Sequence, residues 1–453
     1  KKSGNLQYAW DNSNSEEFAF ILDADFVPVP EALIHTIPYI VSNPKTGILQ
    51  TPQYFEQTES KHKESPIEFG GGNIVEEFYS IDQVCRDRFD AAICVGTSAI
   101  YRRKAIESVG GTPKVWGTED VRTGLAITKG GFKVSYVPII VSIGTSPNTL
   151  QDYFRQHSRW CAGSLQILFD YYFSARLGLM GKLIYIMNPL YYVAEALSPI
   201  LVFHFIALLA FQPNTIALYN SILFIPTLVL DSLIMPYLFR KHKQKVGSKL
   251  AAMNNIFTYF YTIFVDMPKK TGMLWHPAGI TIGGVTREFR TAMRLGIILT
   301  STYVIALTIV LSIRREYLIN IQVSMVLFWS LFIAHWYVRY IYNATKFLRE
   351  HDANYTHPTS NIRTYIRRNW AHIKHALLPT LTIVLFVSVF MNFVQLVLIQ
   401  DGVRNYISFT VNSFNTQISN QPQLLFGYLV IAILYLLFIE NKTENSHLVF
   451  GIA

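Results

Sequence analysis

Charge is scarce in this sequence: 15% of its 453 residues are Asp, Glu, Lys or Arg, while 51% are hydrophobic. A chain of this length with so little charge is neither disordered nor an ordinary soluble enzyme. Cysteine is scarcer still. Cys85, Cys94 and Cys161 are too few and too unpatterned for a disulfide framework or a thiolate zinc site, and they fit a reducing compartment. The opening Lys1 to Asn14 carries no apolar signal-peptide core; it is polar and reads as a loop running into a strand. Acidic residues are outnumbered, 30 Asp+Glu against 39 Lys+Arg, for a net charge of +9. Such an excess serves nucleic acid, anionic lipid headgroups, or the positive-inside bias of a membrane protein, and the location of the charges decides among them.

What is abundant is apolar sequence, unevenly spread. Residues 1–180 mix charges, glycines and short apolar runs as an α/β domain does, whereas 181–453 is dominated by long apolar segments. About six of these, roughly 188–211, 216–239, 295–313, 318–339, 377–399 and 424–440, reach the ~20 residues needed to cross a hydrocarbon core. Lys and Arg concentrate after the second span, from Arg240 to Lys249 and again from Lys269 to Arg294, and after the fourth, from Lys346 to Lys374. Those loops are then cytoplasmic, and so are the N-terminal domain and the C-terminal tail. Arg314 and Arg315, in a short external turn, run against the pattern. Topology absorbs most of the positive charge, so a nucleic-acid partner is not needed. The segment 254–267, too short to span and flanked by basic residues, is expected to lie as a helix in the cytoplasmic interface, or else to be a buried helix of a cytoplasmic subdomain.

In the first domain, Phe18 to Leu22 is an apolar run that stops at Asp23-Ala24-Asp25. This is the pattern of a strand buried on both faces of a parallel sheet. Ligands of open α/β sheets bind at such strand ends, and carboxylates at i and i+2 on an extended chain can approach one hard cation. A solvated strand end is the bland alternative. Further on, Gly117-Thr118-Glu119-Asp120 opens a helix that Gly130-Gly131 stops. Thr118 or Asp120 could simply cap that helix; capping leaves the second acid unexplained, and one of the pair could act as a general base.

A third motif, Gln156-His157-Ser158-Arg159-Trp160, falls in a helical pattern from about Leu150 to Tyr172. Gln156, Arg159 and Trp160 share one face. Arg offers a planar fork for phosphate, Gln a pair of hydrogen-bonding groups, and Trp an apolar plateau for a sugar ring. The alternative is an interfacial Trp beside an Arg that meets lipid headgroups.

In this order the motifs resemble the processive, membrane-embedded glycosyltransferases of family 2, which include cellulose, chitin and hyaluronan synthases. The resemblance rests on K-S-G-N at Lys2 to Asn5, D-A-D at Asp23 to Asp25, Q-T-P-Q at Gln50 to Gln53, V-G-T-S at Val95 to Ser98 with Arg102-Arg103, T-E-D at Thr118 to Asp120, and Q-H-S-R-W at Gln156 to Trp160. The wording around Gln50 to Gln53 and the helix Phe78 to Phe89 is most similar to the bacterial cellulose synthase-like branch. The resemblance implies an α/β fold: an N-terminally incomplete GT-A, Rossmann-like catalytic domain followed by a polytopic helical membrane domain. It implies that Asp25, helped by Asp23, holds Mg²⁺ or Mn²⁺ against the diphosphate of a UDP-sugar. Lys2, Asn5, Asp23, Gln156 and Arg159 would bind the donor nucleotide and diphosphate. Asp120, with Glu119 beside it, would be the base for inversion at the anomeric carbon, and Trp160, Gly96 and Thr97 would meet the acceptor, the growing polysaccharide chain. Synthesis and export through the lipid bilayer would be one process, with UDP-glucose the favoured donor.

The pattern departs from the family in places. The family's catalytic domain begins well before its K-x-G-N motif, so this chain is expected to hold the later part. Val95 stands where bacterial cellulose synthases have Cys, and Thr271 to Gly279 takes the place of a gating loop. Only about a dozen residues follow Glu440, so control through a cyclic di-GMP domain there is not expected. A chitin- or hyaluronan-type donor, a polytopic transporter with a degenerate domain and a nonprocessive lipid-linked transferase are the competing readings. Few ionisable residues lie in the spans (Glu195, His204, Asp231, His335), which weighs against a transporter. The intact Q-x-x-R-W weighs against the nonprocessive enzyme.

Overall fold

Short β-branched and aromatic runs pair into two mixed sheets. In the computed structural model, which describes residues 2–13, 16–55, 66–113, 118–147, 149–168, 177–211, 246–269, 284–314 and 324–352, the chain opens with helix α1 (Lys2–Asn12). Seven strands follow, interleaved with helices: β1 (Phe18–Ile21), β2 (Phe26–Pro28), β3 (Thr46–Gln50), β4 (Tyr54–Phe55), β5 (Ala99–Arg102), β6 (Lys133–Tyr136) and β7 (Ser142–Gly144). One sheet has the order β1-β5-β3-β6, the other β2-β7-β4.

Two expectations are corrected here. The segment before Asp23 is not a strand buried on both faces of a parallel sheet: β1 lies at the sheet edge, antiparallel to β5, and is half-buried throughout. With one neighbour among the described strands, its side chains are covered less than those of β3, which is buried along its whole length. The polar opening is not a loop either. Helix α1 is held by tertiary contacts that no local periodicity announces: Trp10 Nε1 donates to Thr112 Oγ1 (3.1 Å), the Thr112 backbone N–H donates to Gln7 Oε1 (2.8 Å), and the Arg103 guanidinium covers the Trp10 ring.

Helices α2 (Ala32–Ser42), α3 (Pro66–Glu77), α4 (Arg103–Glu107) and α5 (Glu119–Lys129) flank the strands. Helix α3 continues through a π-turn, Phe78–Asp82, into Gln83–Asp87. Helix α6 (Leu150–Gln166) begins where Thr149 Oγ1 accepts the Asp152 backbone N–H (3.1 Å), the side-chain capping that satisfies an otherwise orphaned amide.

Then come α7 (Leu179–Leu201), α8 (Phe203–Phe211), α9 (Val246–Tyr261), α10 (Arg287–Ile313) and α11 (Ser324–His351). Two described helical stretches, Leu179–Ala207 and Arg287–Ile313, are long and apolar enough to cross a bilayer; they coincide with the first and third expected spans. The fourth falls partly in α11. The spans expected at 216–239, 377–399 and 424–440, and the stretch Thr271 to Gly279, lie outside the described residues. Helix α9 runs into a π-turn, Thr262–Asp266. It is buried on several faces, with Phe257, Tyr259 and Phe260 at 2–3% exposure. Phe154 of α6, Phe257 and Tyr261 of α9, Phe289 and Met293 of α10 and Tyr340 of α11 form one apolar cluster. All described residues fall within one compact unit, Lys1–Ile373, and side chains from both sides of Gly181 share a core, with Tyr185 packed among Ala91, Ile93 and Leu125.

Candidate active site

The acidic motifs converge through the loop 95–98. Asp23 and Asp25 do not sit on an extended strand as expected: the Phe26 N–H donates to the Asp23 carbonyl (3.0 Å), closing a turn between β1 and β2. The turn brings the carboxylates within electrostatic reach of each other and leaves Asp25 exposed at the surface. Asp25 has its pKa raised, first by the desolvation its partial burial imposes, with the Asp23 charge adding to the rise; a hydrogen bond from its own backbone and the Lys2 charge act the other way. The Asp23 backbone N–H donates to Thr97 Oγ1 (2.8 Å), and the Lys2 ammonium reaches both the Asp23 carboxylate and the Gly96 carbonyl (2.8 Å). Thus Lys2, expected at the nucleotide, here bridges the acidic turn to the loop.

Gln50 holds the loop from below. Its Oε1 accepts the Val95 N–H (2.9 Å) and its Nε2 donates to the Thr97 and Thr51 carbonyls (2.8 Å each). Thr51 adds Oγ1–H to the Ser98 carbonyl (2.6 Å), and the Ser98 and Ser142 hydroxyls pair at 2.6 Å. The Q-T-P-Q segment therefore acts on this site as a brace. Gly96 has φ +81°, a region that glycine enters without penalty, and any Cβ there would strike Asp120.

Asp120 opens α5. Its Oδ1 accepts the Val121 N–H (2.8 Å), while Thr118, at φ +50°, makes no side-chain cap. As a residue Asp120 keeps partial solvent exposure, but its carboxyl is enclosed, and loss of solvation is the first cause of a pKa raised to about 6. The Glu119 charge raises it further; the Val121 N–H and the Lys2 charge oppose. Around it stand residues to which sequence reasoning gave no role in the site. Tyr79, Cys94 and Tyr101 are buried and each feels the Asp120 charge. They belong to a cluster with Tyr136, and Cys94 Sγ lies 3.0 Å from Tyr101 Oη.

Helix α6 closes the site. Gly163 lies so near Thr118 that any Cβ would clash with its side chain, which seats one turn of α6 on the start of α5. Arg159, one turn before, is near enough to Glu119, Asp120 and Asp23 that all three charges support its protonated form, though burial is the larger influence and lowers its pKa. Trp160 packs against the cluster that contains Phe26, Tyr79 and Cys94. Lys2, Asp23, Gly96, Thr97, Glu119, Asp120 and Arg159 are thus gathered, with Asp25 at the rim. Asn5 lies exposed on α1, and among the described residues Gln156 makes no hydrogen bond to the gathered set.

Among the described residues no group of three or more His, Cys, Asp or Glu is arranged to hold a metal. The pair Asp23 and Asp25 nevertheless fits a hard divalent cation. The donors are carboxylate oxygens, the Asp23 charge adds to the desolvation that raises the Asp25 pKa, and two protein ligands leave positions for phosphate oxygens, as Mg²⁺ prefers.

A family model described as Glycosyl transferase family group 2 matches residues 19–237. The cellulose synthase 1 catalytic subunit (UDP-forming) of Komagataeibacter xylinus is 32% identical over 169 residues, 37% of this chain and 22% of that protein. A UDP-forming cellulose synthase of Dictyostelium discoideum is 32% identical over 171 residues, 37% of this chain and 16% of that one. The matches thus span less than a quarter of these relatives. Among solved structures, the mannosyltransferase PcManGT of Pyrobaculum calidifontis, in complex with GDP-Man and Mn²⁺, is similar with a TM-score of 0.40 and 16% identity, covering 59% of this chain and 67% of that one.

Proposed function

We propose that the chain, matched over residues 19–237 by the Glycosyl transferase family group 2 model and cellulose synthase-like in sequence over 169 residues, is a family 2 glycosyltransferase that elongates a β-linked glucan from UDP-glucose by inverting transfer and passes the product across the membrane. The observation that carries this reading is Asp120: a carboxyl group tuned to about 6, set beside two further carboxylates, a lysine and an arginine. A base with a pKa just below neutrality is mostly ionised at pH 7 and still accepts a proton readily.

Asp120 takes the proton from the acceptor hydroxyl as that oxygen bonds to the anomeric carbon. The bond from that carbon to the diphosphate oxygen breaks, its electron pair leaves with UDP, and the single displacement inverts the centre. Asp25 and Asp23 would hold Mg²⁺ or Mn²⁺, which supplies charge neutralisation for the departing diphosphate. Arg159 adds a fixed cation near Asp23, Glu119 and Asp120, and Gln156 extends the same helix face toward the donor. Trp160 offers its face to the acceptor sugar, with Gly96 and Thr97 shaping the loop beside it. The catalytic part is of the GT-A kind and cytoplasmic, and residues 181–453 form a multi-pass membrane domain.

The test supplies membranes bearing the full-length protein with radiolabelled UDP-glucose, UDP-N-acetylglucosamine, UDP-glucuronate or GDP-mannose, each with Mg²⁺ or Mn²⁺. Polymer from UDP-glucose that a β-1,4-glucanase digests supports the reading. Polymer from UDP-N-acetylglucosamine or UDP-glucuronate alone moves it to a chitin- or hyaluronan-type synthase, and no polymer from any donor overturns it.

A further inference from the structure

His157 lies within the Q-H-S-R-W segment and meets α9 at Tyr259. The residue is 3% exposed. Nδ1 lies 2.8 Å from Tyr259 Oη, and Nε2 has no partner among the described residues. Tyr153 packs on one side of the ring (centroids 4.2 Å apart) and Trp160 on another (4.8 Å). Two more polar contacts cross the same junction. Asn255 Nδ2 donates to Tyr153 Oη (3.0 Å), and the Ser158 and Thr262 hydroxyls pair at 2.8 Å, the latter residue opening the π-turn after α9.

Apolar side chains alone would pack α6 on α9 in several registers, because dispersion has little direction. Hydrogen bonds inside a low-dielectric contact are directional, and leaving one partner unmatched costs the full desolvation of the group left behind. Three such bonds over two turns of α6 therefore fix one register. The residue at their centre also touches Trp160. Burial holds the His157 imidazole well below its ordinary pKa, at about 3, so near neutral pH it forms this contact as an uncharged ring rather than as a proton donor to substrate.

We propose that His157, through its hydrogen bond to Tyr259, is a positioning residue that sets Trp160 and Arg159 of α6 against the acceptor and diphosphate from helix α9. The proposal rests on the glycosyl-transfer reading only for its kinetic arm.

The full-length protein in detergent is compared as native, Tyr259→Phe, His157→Asn and His157→Gln. Tyr259→Phe keeps the ring contacts and removes the hydroxyl. Asn places an amide oxygen near the Nδ1 position and retains the bond, whereas Gln places its amide near Nε2 and loses it. With UDP-glucose as donor, Tyr259→Phe and His157→Gln are expected to lower kcat about tenfold, the scale of a slightly misplaced reacting group, while the donor KM stays within about twofold. His157→Asn is expected to remain within about twofold of native. In parallel, hydrogen exchange of the 156–161 amides should quicken in Tyr259→Phe and His157→Gln and not in His157→Asn. That readout needs no activity, so an inactive native protein would sink the functional reading and leave the α6–α9 clamp judged on its own. Equal kcat and exchange across the four proteins would overturn the proposal. So would loss of activity in His157→Asn with exchange unchanged, which would make His157 a catalytic group.

Discussion

Gly96 and Asp120 touch: a Cβ built on Gly96 would stand 2.8 Å from Asp120 Cβ and 3.0 Å from its Oδ2. The loop backbone, at φ +81°, forms one wall of the carboxylate's pocket. Gly96→Ala should therefore do two things. It should destabilise the fold by about 1–2 kcal/mol, the cost of a side chain in left-handed backbone, and it should push Asp120 out of place and lower transfer by at least about tenfold. Thermal unfolding and initial rates on the same preparation check both.

The raised pKa of Asp120 makes a signed prediction. A base works in its ionised form, so kcat should fall as pH drops through about 6 and level off above it. Stability moves the other way. The folded pKa lies above the ordinary carboxylate value, so the fold is favoured while Asp120 is protonated and loses that advantage as pH rises from about 4 through about 6. Asp120→Asn keeps the acceptor for the Val121 N–H and carries no charge; it should melt higher than native at pH 7.5 and match it near pH 4.

Lys2 lowers the pKa of both Asp120 and Asp25. Lys2→Met should move the acid limb of the rate profile to higher pH. It should also free the Asp23 carboxylate and the Gly96 carbonyl. A profile superposable on the native one would show that Lys2 does not act on Asp120.

Gln50 is fully buried and satisfies three backbone groups. Gln50→Leu fills the space without satisfying them, and each orphaned buried group costs about 1–3 kcal/mol. A clear drop in melting temperature together with lost transfer is expected. Gln50→Glu should recover little, because a carboxylate accepts the Val95 N–H but cannot donate to the carbonyls.

Chelation should abolish transfer, and Mg²⁺ or Mn²⁺ should restore it. Asp25→Asn should raise the metal concentration giving half-maximal rate, measured by titration at saturating donor.

The gathering of the charged motifs was more legible in the sequence than the architecture. D-A-D, T-E-D and Q-H-S-R-W are local words, and Asp23, Asp120 and Arg159 do meet. What the words could not carry was the surroundings. That β1 is an edge strand depends on which strand pairs with it, and α1 forms because Thr112 and Arg103, about a hundred residues away, hold Gln7 and Trp10. The Gln50 brace and the cluster of Tyr79, Cys94 and Tyr101 are products of long-range packing. His157 was in plain view inside a motif, yet its partner Tyr259 lies about a hundred residues on, and no local periodicity links them.

The central claim is that Asp120 is the base of a glycosyl transfer. Its most direct test is the rate of radiolabelled glucose incorporation from UDP-glucose by membranes containing equal amounts of native and Asp120→Asn full-length protein, at pH 7.5 with Mg²⁺. The account predicts glucanase-sensitive polymer from the native protein and, from Asp120→Asn, a rate lower by at least about a hundredfold. Incorporation by Asp120→Asn within a few-fold of native would contradict it.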